Sequence, residues 1–365
     1  MTFTEEQQQL RTTLRRFLAD KAPSAAVRRA MDSDEGHDPR LWRQMADQLG
    51  LHGLALPEAY GGFGGGPVEL GIVLEELGRV LLPSPYFATV ALAGQALAAS
   101  NDEAAKARWL PAIADGSTTA TLALAEASGS WRLEDIETSA GNGTVSGTKM
   151  FVVDGHTADL ILVVARTDTG SALFAVDGDA PGVTRTRLET LDPTRRLARV
   201  DLDDAPARRI GSDDDASVYL RTVLDLVAVA LAAEQVGGAR ACLDAAVEYA
   251  KVRVQFGRPI GSFQAVKHKC ADLLVQVEGA RSAAYHATTV AAEGSSELPV
   301  SAALAAACCA DAFTHAAKEN IQIHGGIGYT WEHDAHLYLK RAKSSEQLFG
   351  GPAAHRARLA DLVGI

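Results

Sequence analysis

Cysteine is scarce in this chain of 365 residues, and the four present, Cys242, Cys270, Cys308 and Cys309, show no zinc-ligand spacing. Adjacent Cys308 and Cys309 point apart on a helix, so the cysteines read as small buried hydrophobes and a disulfide scaffold is excluded. Basic residues are outnumbered: 35 Lys and Arg against 46 Asp and Glu leave a net charge of −11. That balance argues against a nucleic-acid partner, which needs Lys and Arg clustered on one face. No run of about 18 apolar residues escapes interruption by charge or glycine, so no membrane span is expected. The first residues lack a basic stretch followed by an apolar one, so no secretory signal is expected and the location reads as cytoplasmic. No Gly-x-Ser-x-Gly occurs, which removes the nucleophile elbow of an α/β hydrolase. The Gly-rich stretch Tyr60–Pro67 has no Gly-Lys-Ser/Thr and is not a phosphate loop.

What is present describes an ordinary globular protein, with 47% hydrophobic and 22% charged residues. The length favours two or three domains. The first third reads helical. Thr4 with Gln7 fits a capping box, and Leu10, Leu14, Phe17 and Leu18 keep one apolar face. Trp42, Met45 and Leu49 continue helical spacing, and Leu70, Val73, Leu74 and Leu77 mark an amphipathic helix from Val68 to about Leu82. Ala-rich helix follows Pro85 up to about Ile113. From about Thr121 the period drops to 2, with short β-rich runs at 121–125, 150–153, 160–165, 173–176, 183–188 and 200–202. Turn-formers such as Gly141-Asn142-Gly143 separate them, as in a barrel or sandwich. After Asp213 helices return. Residues 217–252 contain no proline and predict a helix of roughly 50 Å, kinked at Gly237-Gly238. Phe263 to Ala284 predicts a second, Pro299 opens a third, a fourth lies between Trp331 and Phe349, and Pro352 suits a short terminal one. Long helices with short connections make an antiparallel bundle.

Two segments of that bundle carry chemistry. Arg253-Val-Gln255-Phe256-Gly257-Arg258-Pro259-Ile260 leaves one helix and enters the next. The plain reading is a polar turn with Phe256 packed inside. The other is a permanent charge, an amide and a glycine offered to a diphosphate. Gln322-Ile-His324-Gly325-Gly326-Ile-Gly328-Tyr329 ends a helix in glycines, which ordinarily means a C-cap; it equally allows close backbone approach to a ligand. His333 and His336, with Glu332 and Asp334, have no third ligand at a recognised spacing and read as helix-surface residues, so no metal is expected. Arg185, Arg187, Arg195, Arg196 and Arg199 read as a solvated strand face.

Together the two segments resemble the flavin-binding signature of the acyl-CoA dehydrogenase family. The resemblance extends over essentially the whole chain, through Gly53-Leu-Ala-Leu-Pro57 with Tyr60-Gly-Gly62, Gly147-Thr-Lys149-Met-Phe151, Leu191-Asp-Pro-Thr-Arg195 and Phe263-Gln264. It implies an α+β fold: an N-terminal helical domain (1–118), a middle β-barrel (119–212) and a C-terminal four-helix bundle (213–365). It implies FAD as cofactor, an acyl-CoA thioester as substrate and α,β-desaturation as the reaction. An acidic surface does not oppose this, since such a thioester needs only a local basic pocket. Electrons would pass to an electron-transfer flavoprotein or a similar acceptor, and a homo- or hetero-tetramer is the usual assembly. In the family FAD lies between two subunits, and the counterparts of Arg253, Gln255, Phe256, Gln322, Gly325 and Gly326 reach across to the neighbour's pyrophosphate and adenosine. Gln264 and His324, within the same motifs, join them as expected cofactor-binding residues.

The departures from the family lie elsewhere. Many members carry the catalytic carboxylate in a C-terminal run that matches Leu348-Phe349-Gly350-Gly351-Pro352, and Gly350 stands at its place. Others carry it in the first long bundle helix, where Val227 stands instead. Glu234 is the nearest substitute on that face but lies about 10 Å further along the helix. No catalytic residue is therefore assigned. Around the flavin ring, Ala125-Glu126-Ala127 and Phe151-Val152-Val153 replace the family's Thr-Glu-Pro and Trp/Phe-Ile-Thr. The losses fall on the chain's own ring pocket, while the segments that reach across are intact. The resemblance thus implies one half of a two-gene enzyme, of the kind used in lipid or steroid side-chain catabolism, whose partner supplies ring pocket and base. The alternatives are a non-catalytic subunit that completes the partner's flavin site, and a family member with different flavin chemistry.

Overall fold

The computed structural model describes residues 3–212 and 214–365; the expected boundary at 212/213 falls beside Asp213, which lies outside the described residues. Helix α1 (Glu5–Lys21) begins at a capping box, with the Gln7 N–H donated to Thr4 Oγ1 at 3.2 Å and the Thr4 N–H to Gln7 Oε1 at 3.0 Å. α2 (Ser24–Asp32) and α3 (Pro39–Asp47) follow, the latter capped by Asp38. α4 (Pro67–Arg79) was expected to be amphipathic, yet every residue from Val68 to Gly78 other than Glu69 is buried. The correction has a plain cause: α1 covers one side of α4 and the bundle covers the other. A π-type helical stretch (Phe87–Gly94) runs into α5 (Gln95–Ala98), and α6 (Glu103–Ala114) ends this layer.

Seven strands come next: β1 (Ala120–Ala123), β2 (Ser139–Gly141), β3 (Thr144–Val153), β4 (Leu160–Thr167), β5 (Gly170–Asp177), β6 (Val183–Arg187) and β7 (Leu197–Ile210). β5 pairs with both β7 and β4, so the path β4-β2-β3-β7-β5 closes on itself as a barrel; β1 joins β4 in parallel and β6 joins β7. The β2–β3 hairpin turns on Asn142 and Gly143 at φ +53° and +81°, the left-handed pair that a two-residue turn requires. Alternation along β4 and β5 is hidden because both faces are buried. Ile161, Val163, Phe174 and Val176 fill the barrel, while Leu160, Leu162, Val164 and Leu173 join the core shared with the helices. The short β2 was not predicted; its three residues carry no apolar pattern.

The bundle comprises α7 (Ser217–Val252), a small hairpin of β8 (Val254–Gln255) and β9 (Arg258–Pro259), α8 (Gln264–Ala292), α9 (Leu298–His324), α10 (Ala335–Gln347) and α11 (Gly351–Val363). α7 passes Gly237-Gly238 as one unbroken helix. A Cβ at Gly237 would stand 1.8 Å from the Glu75 carbonyl, and one at Gly238 2.4 Å from the Phe313 ring. These glycines serve close helix crossing, and the expected kink is replaced by contact. Residues 217–252 and 298–329 are apolar and long enough to cross a bilayer, but 83% and 72% of their most apolar windows are buried within the fold. Cys242 and Cys309 are buried as expected. Cys270 is half-buried and Cys308 exposed, because Cys308 lies on the outward stripe of α9 with Leu304 and Asp311.

Candidate functional site

At one end of the bundle the two motif segments meet. Ile323, in the last turn of α9, packs with Ala246 and Ala250 of α7 and with Val266 and Cys270 of α8. The hairpin that follows α7 turns on Phe256 and Gly257 at φ +52° and +75°. The left-handed region disfavours a bulky side chain, and here it carries a phenyl ring that is 90% exposed. Phe256 thus points outward, against the plain reading of a packed turn residue. Its ring sits edge-on to Phe263 at 6.1 Å, and the Arg258 guanidinium lies 4.1 Å above the Phe263 ring. Arg253, Gln255 and Gln264 are exposed on the same hairpin and on the first turn of α8. Among the described residues no side chain caps that turn, and its Val266 N–H is bonded to the Phe263 carbonyl at 3.2 Å.

Gln322 is exposed on the last turn of α9, which ends at Gly325 with φ +66°. A Cβ at Gly325 or at Gly326 would meet nothing within 4 Å, so this backbone faces open space. His324 turns the other way. It is buried, its Nδ1 is 2.8 Å from the Asn320 carbonyl, and its ring stacks on Tyr249. Six of the expected cofactor-binding side chains or glycines around it (Arg253, Gln255, Phe256, Gln322, Gly325, Gly326) present themselves to solvent, as does Gln264; His324 lies behind them. His333 accepts the Ala335 N–H on Nδ1, and His336 packs edge-on against Trp331.

The other half of the expected site is closed. Val227 of α7 and the Leu348–Gly350 turn, far apart in sequence, belong to one apolar core with Trp131. The Trp131 and Phe349 rings lie 4.6 Å apart, with Phe349 held at φ +58°. A cavity of about 10 Å³ remains beside them, its apolar wall including Leu231, Leu348 and Phe349 and its polar side Gln235, Glu346 and His355. That is room for about one water. Leu348, Phe349 and Gly351, on either side of Gly350, and Ala228, next to Val227, border this void, and neither Val227 nor Gly350 supplies an acid. Two titratable groups that sequence reading missed line it: Glu346, which accepts from Lys343 Nζ at 2.5 Å, and His355. Burial first, then the Arg358 charge, holds the His355 pKa below the ordinary imidazole value. Only its spacing from Pro352 on α11 could have signalled it.

The acids nearby are engaged. Asp225 is buried and accepts from Arg358 Nη2 at 3.0 Å. Glu234 is the acceptor of a buried network: Arg195 Nη2 donates to Oε1 at 2.6 Å and Arg341 Nη1 to the same oxygen at 3.2 Å. Burial alone would raise its pKa, but Arg195 and Arg341 more than offset that and keep the carboxyl below its usual range. Glu234 is thereby removed as a candidate base. The same network corrects the arginine series: Arg195 is buried, and Arg196 donates to the Ser33 carbonyl at 3.0 Å, so only part of that series faces solvent. On the barrel, Lys149 Nζ donates to Glu126 Oε1 at 2.6 Å, and Glu126 also accepts the N–H groups of Glu137 and Thr138. Burial draws Lys149 down to about 8 against the pull of Glu126.

Models of the acyl-CoA dehydrogenase N-terminal, middle and C-terminal domains match residues 4–117, 121–204 and 217–363. Acyl-CoA dehydrogenase IpdE2 of Mycobacterium tuberculosis (strain ATCC 25618 / H37Rv) is 40% identical over 365 residues, covering 98% of each chain. The structure of a variant of the Tcur3481-Tcur3483 steroid ACAD superposes with a TM-score of 0.90 at 33% identity, over 99% of this chain and 98% of that one. The ChsE4-ChsE5 complex from Mycobacterium tuberculosis does so with a TM-score of 0.90 at 31% identity, over 100% and 98%.

Proposed function

The chain belongs to the acyl-CoA dehydrogenase family, flavin-dependent oxidoreductases of acyl-CoA thioesters, and from that premise we propose that it works as one chain of a two-chain dehydrogenase. In this reading it grips the tail of an FAD whose ring pocket and catalytic base the partner chain supplies. The observation that carries it is the contrast between the two ends of the site. The bundle end offers an exposed aromatic, two arginines, three amides and an open glycine backbone. The chain's own acyl cleft is filled by Trp131 and Phe349 and has glycine and valine where the base belongs.

These residues fit the tail of FAD. Arg253 and the uncapped first turn of α8 suit the diphosphate, Gln255 and Gln322 can bond phosphate or ribose oxygens, and Phe256 offers a face to adenine. Gly325 and Gly326 leave room for close approach. When bound there, FAD would supply a hydride acceptor for the substrate. The chain's own residues bind and orient; none of them is assigned the proton. Removing a general base costs roughly 10²–10⁴ in rate, so this chain alone would be a poor dehydrogenase. The relatives described as a steroid ACAD and as the ChsE4-ChsE5 complex support a paired assembly and a bulky polycyclic acyl group. An electron-transfer flavoprotein suits the role of acceptor.

The test is co-purification with the product of a neighbouring gene and a flavin count. The expected assembly holds half as many flavins as chains and oxidises polycyclic acyl-CoA. A fully flavinated, active homo-oligomer of this chain alone would overturn the reading. One observation favours that second outcome: His355 borders the cavity beside Gly350 and could accept a proton. Loss of activity from such a homo-oligomer on His355→Phe would then establish it.

A further inference from the structure

His324 sits where the two cofactor-facing segments are rooted, but faces neither solvent nor ligand. Its ring stacks on Tyr249, with centroids 4.2 Å apart and planes 26° from parallel. Tyr249 lies in the last turn of α7, and its carbonyl accepts the Arg253 N–H at 2.9 Å, so it anchors the hairpin. On the other side, His333 lies 4.4 Å from His324 at 49°. His333 closes the segment that begins at Gly325, and its Nδ1 accepts the Ala335 N–H at 3.1 Å at the start of α10. Gly328 folds back so closely that a Cβ there would stand 3.0 Å from the His324 Cβ. Three rings from three parts of the chain therefore touch in series, His324 stacked on Tyr249 and tilted against His333.

Resting on the reading of this end as an FAD-tail site, we propose that His324 is a positioning residue: the Tyr249–His324–His333 ring series locks the Arg253 hairpin to the Gly325–Gly326 segment and makes their grip on the cofactor acid-sensitive. Only the His333 bond requires a neutral ring; the His324 bond survives protonation. His324 Nδ1 carries the proton donated to the Asn320 carbonyl, 2.8 Å away, and His333 Nδ1 must keep its lone pair to accept from Ala335. Protonating His333 removes that acceptor and sets a cation beside His324; protonating both sets like charges ring to ring. The surrounding charges do not neutralise this. Arg28 of α2 donates to Asp334 at 2.6 Å and to the His333 carbonyl at 3.2 Å, so the nearest carboxylate is already paired. Lys340 of α10 lies 4.2 Å over Trp331 and adds another cation, Glu332 is exposed, and Tyr249 brings no charge. Burial, opposed by the Asn320 carbonyl and reinforced by His333, lowers the His324 pKa, in keeping with a ring held neutral.

The experiment uses the full-length chain in the flavin-loaded assembly in which it purifies, with FAD as the probe. Amide hydrogen exchange of residues 253–260 and 325–334 and the rate of FAD release are followed at about pH 8 and about pH 5.5, either side of the ordinary histidine range. His324→Ala is expected to speed exchange in both segments together and FAD release by roughly two- to tenfold, the scale of one aromatic contact. His324→Phe keeps the ring series: it should match the native chain at the higher pH and lose most of the acid response, since a cationic His333 is not repelled by a phenyl face. Unchanged exchange in His324→Ala, or a native acid response in His324→Phe, overturns the proposal. Gln322→Ala separates the two layers. If it leaves FAD release unchanged, the tail-site reading fails, whereas the clamp is judged by exchange in the two segments regardless of the cofactor.

Discussion

Arg341 Nη1 lies 3.2 Å from Glu234 Oε1, joining α10 to α7 across 107 residues of sequence. The pair sits in a network with Arg195, Asp192 and Thr194, where Arg341 Nε also donates to Asp192 at 2.8 Å. It ties the loop that leads into β7 to the bundle. A carboxylate so engaged is a structural group, and its side chain cannot reach a substrate proton without abandoning two guanidinium ions.

Glu234→Gln follows from this directly. Removing one partner of a buried ion pair leaves uncompensated charge and costs about 3–5 kcal/mol. Urea unfolding is expected to show that loss. Any catalytic defect of the variant assembly should track its folded fraction; a large defect in a fully folded variant would return Glu234 to the candidate bases.

Gly326→Ala isolates ligand contact from stability. A Cβ there meets no atom within 4 Å and Gly326 is not among the left-handed glycines, so the melting temperature should not fall. Flavin retention should weaken at least about tenfold, the equivalent of about 1.4 kcal/mol, because only a bound tail would collide with the new methyl group. Ultrafiltration of the holo-assembly measures it.

His52 supplies a pH dependence. Among the described residues both its ring nitrogens are buried without hydrogen-bond partners, its ring contacts Trp42 and Tyr86, and burial pushes its pKa down to about 3, the Asp115 charge opposing. The unfolded chain therefore binds a proton between its ordinary value near 6.5 and about 3 that the folded chain refuses. Stability contributed by the neutral ring is intact above that window and is lost as pH falls through it, by at most about 1.4 kcal/mol per unit. His52→Phe should flatten this slope, as read from unfolding free energies between about pH 7 and about pH 4.

Lys149 and Glu126 give a paired test. Lys149→Met takes the ammonium from the Leu124 carbonyl and leaves the Glu126 carboxylate with two backbone amides, a loss of about 3–5 kcal/mol, and Glu126→Gln added to it should recover part of that. Equal loss in the single and double variants would show that the pair is not coupled.

Much of the fold was legible because it is local chemistry. The Thr4–Gln7 box, the proline-free run of α7, the prolines opening α9 and α11, and the Asn142-Gly143 turn all depend on groups within a few residues of each other. The motif at the bundle end was legible for the same reason, as was the lack of an acid at Val227 and Gly350. The runs at 160–165 and 173–176 mark β4 and β5 without showing which side is solvated, and the α4 run reads as amphipathic, because each is covered on both sides and Glu75 and Glu76 of α4 are buried under Arg11 and Arg15.

The sequence by itself determined which residues are available: an arginine, amides and glycines at the ends of two helices, and no carboxylate at either place where a base was sought. Only tertiary structure decided what those residues face. It turned Phe256 outward and His324 inward, paired Glu234 with two arginines, and closed Trp131 on Phe349. Burial and charge pairing are set by contacts between segments far apart in the chain, and spacing along it carries no record of them.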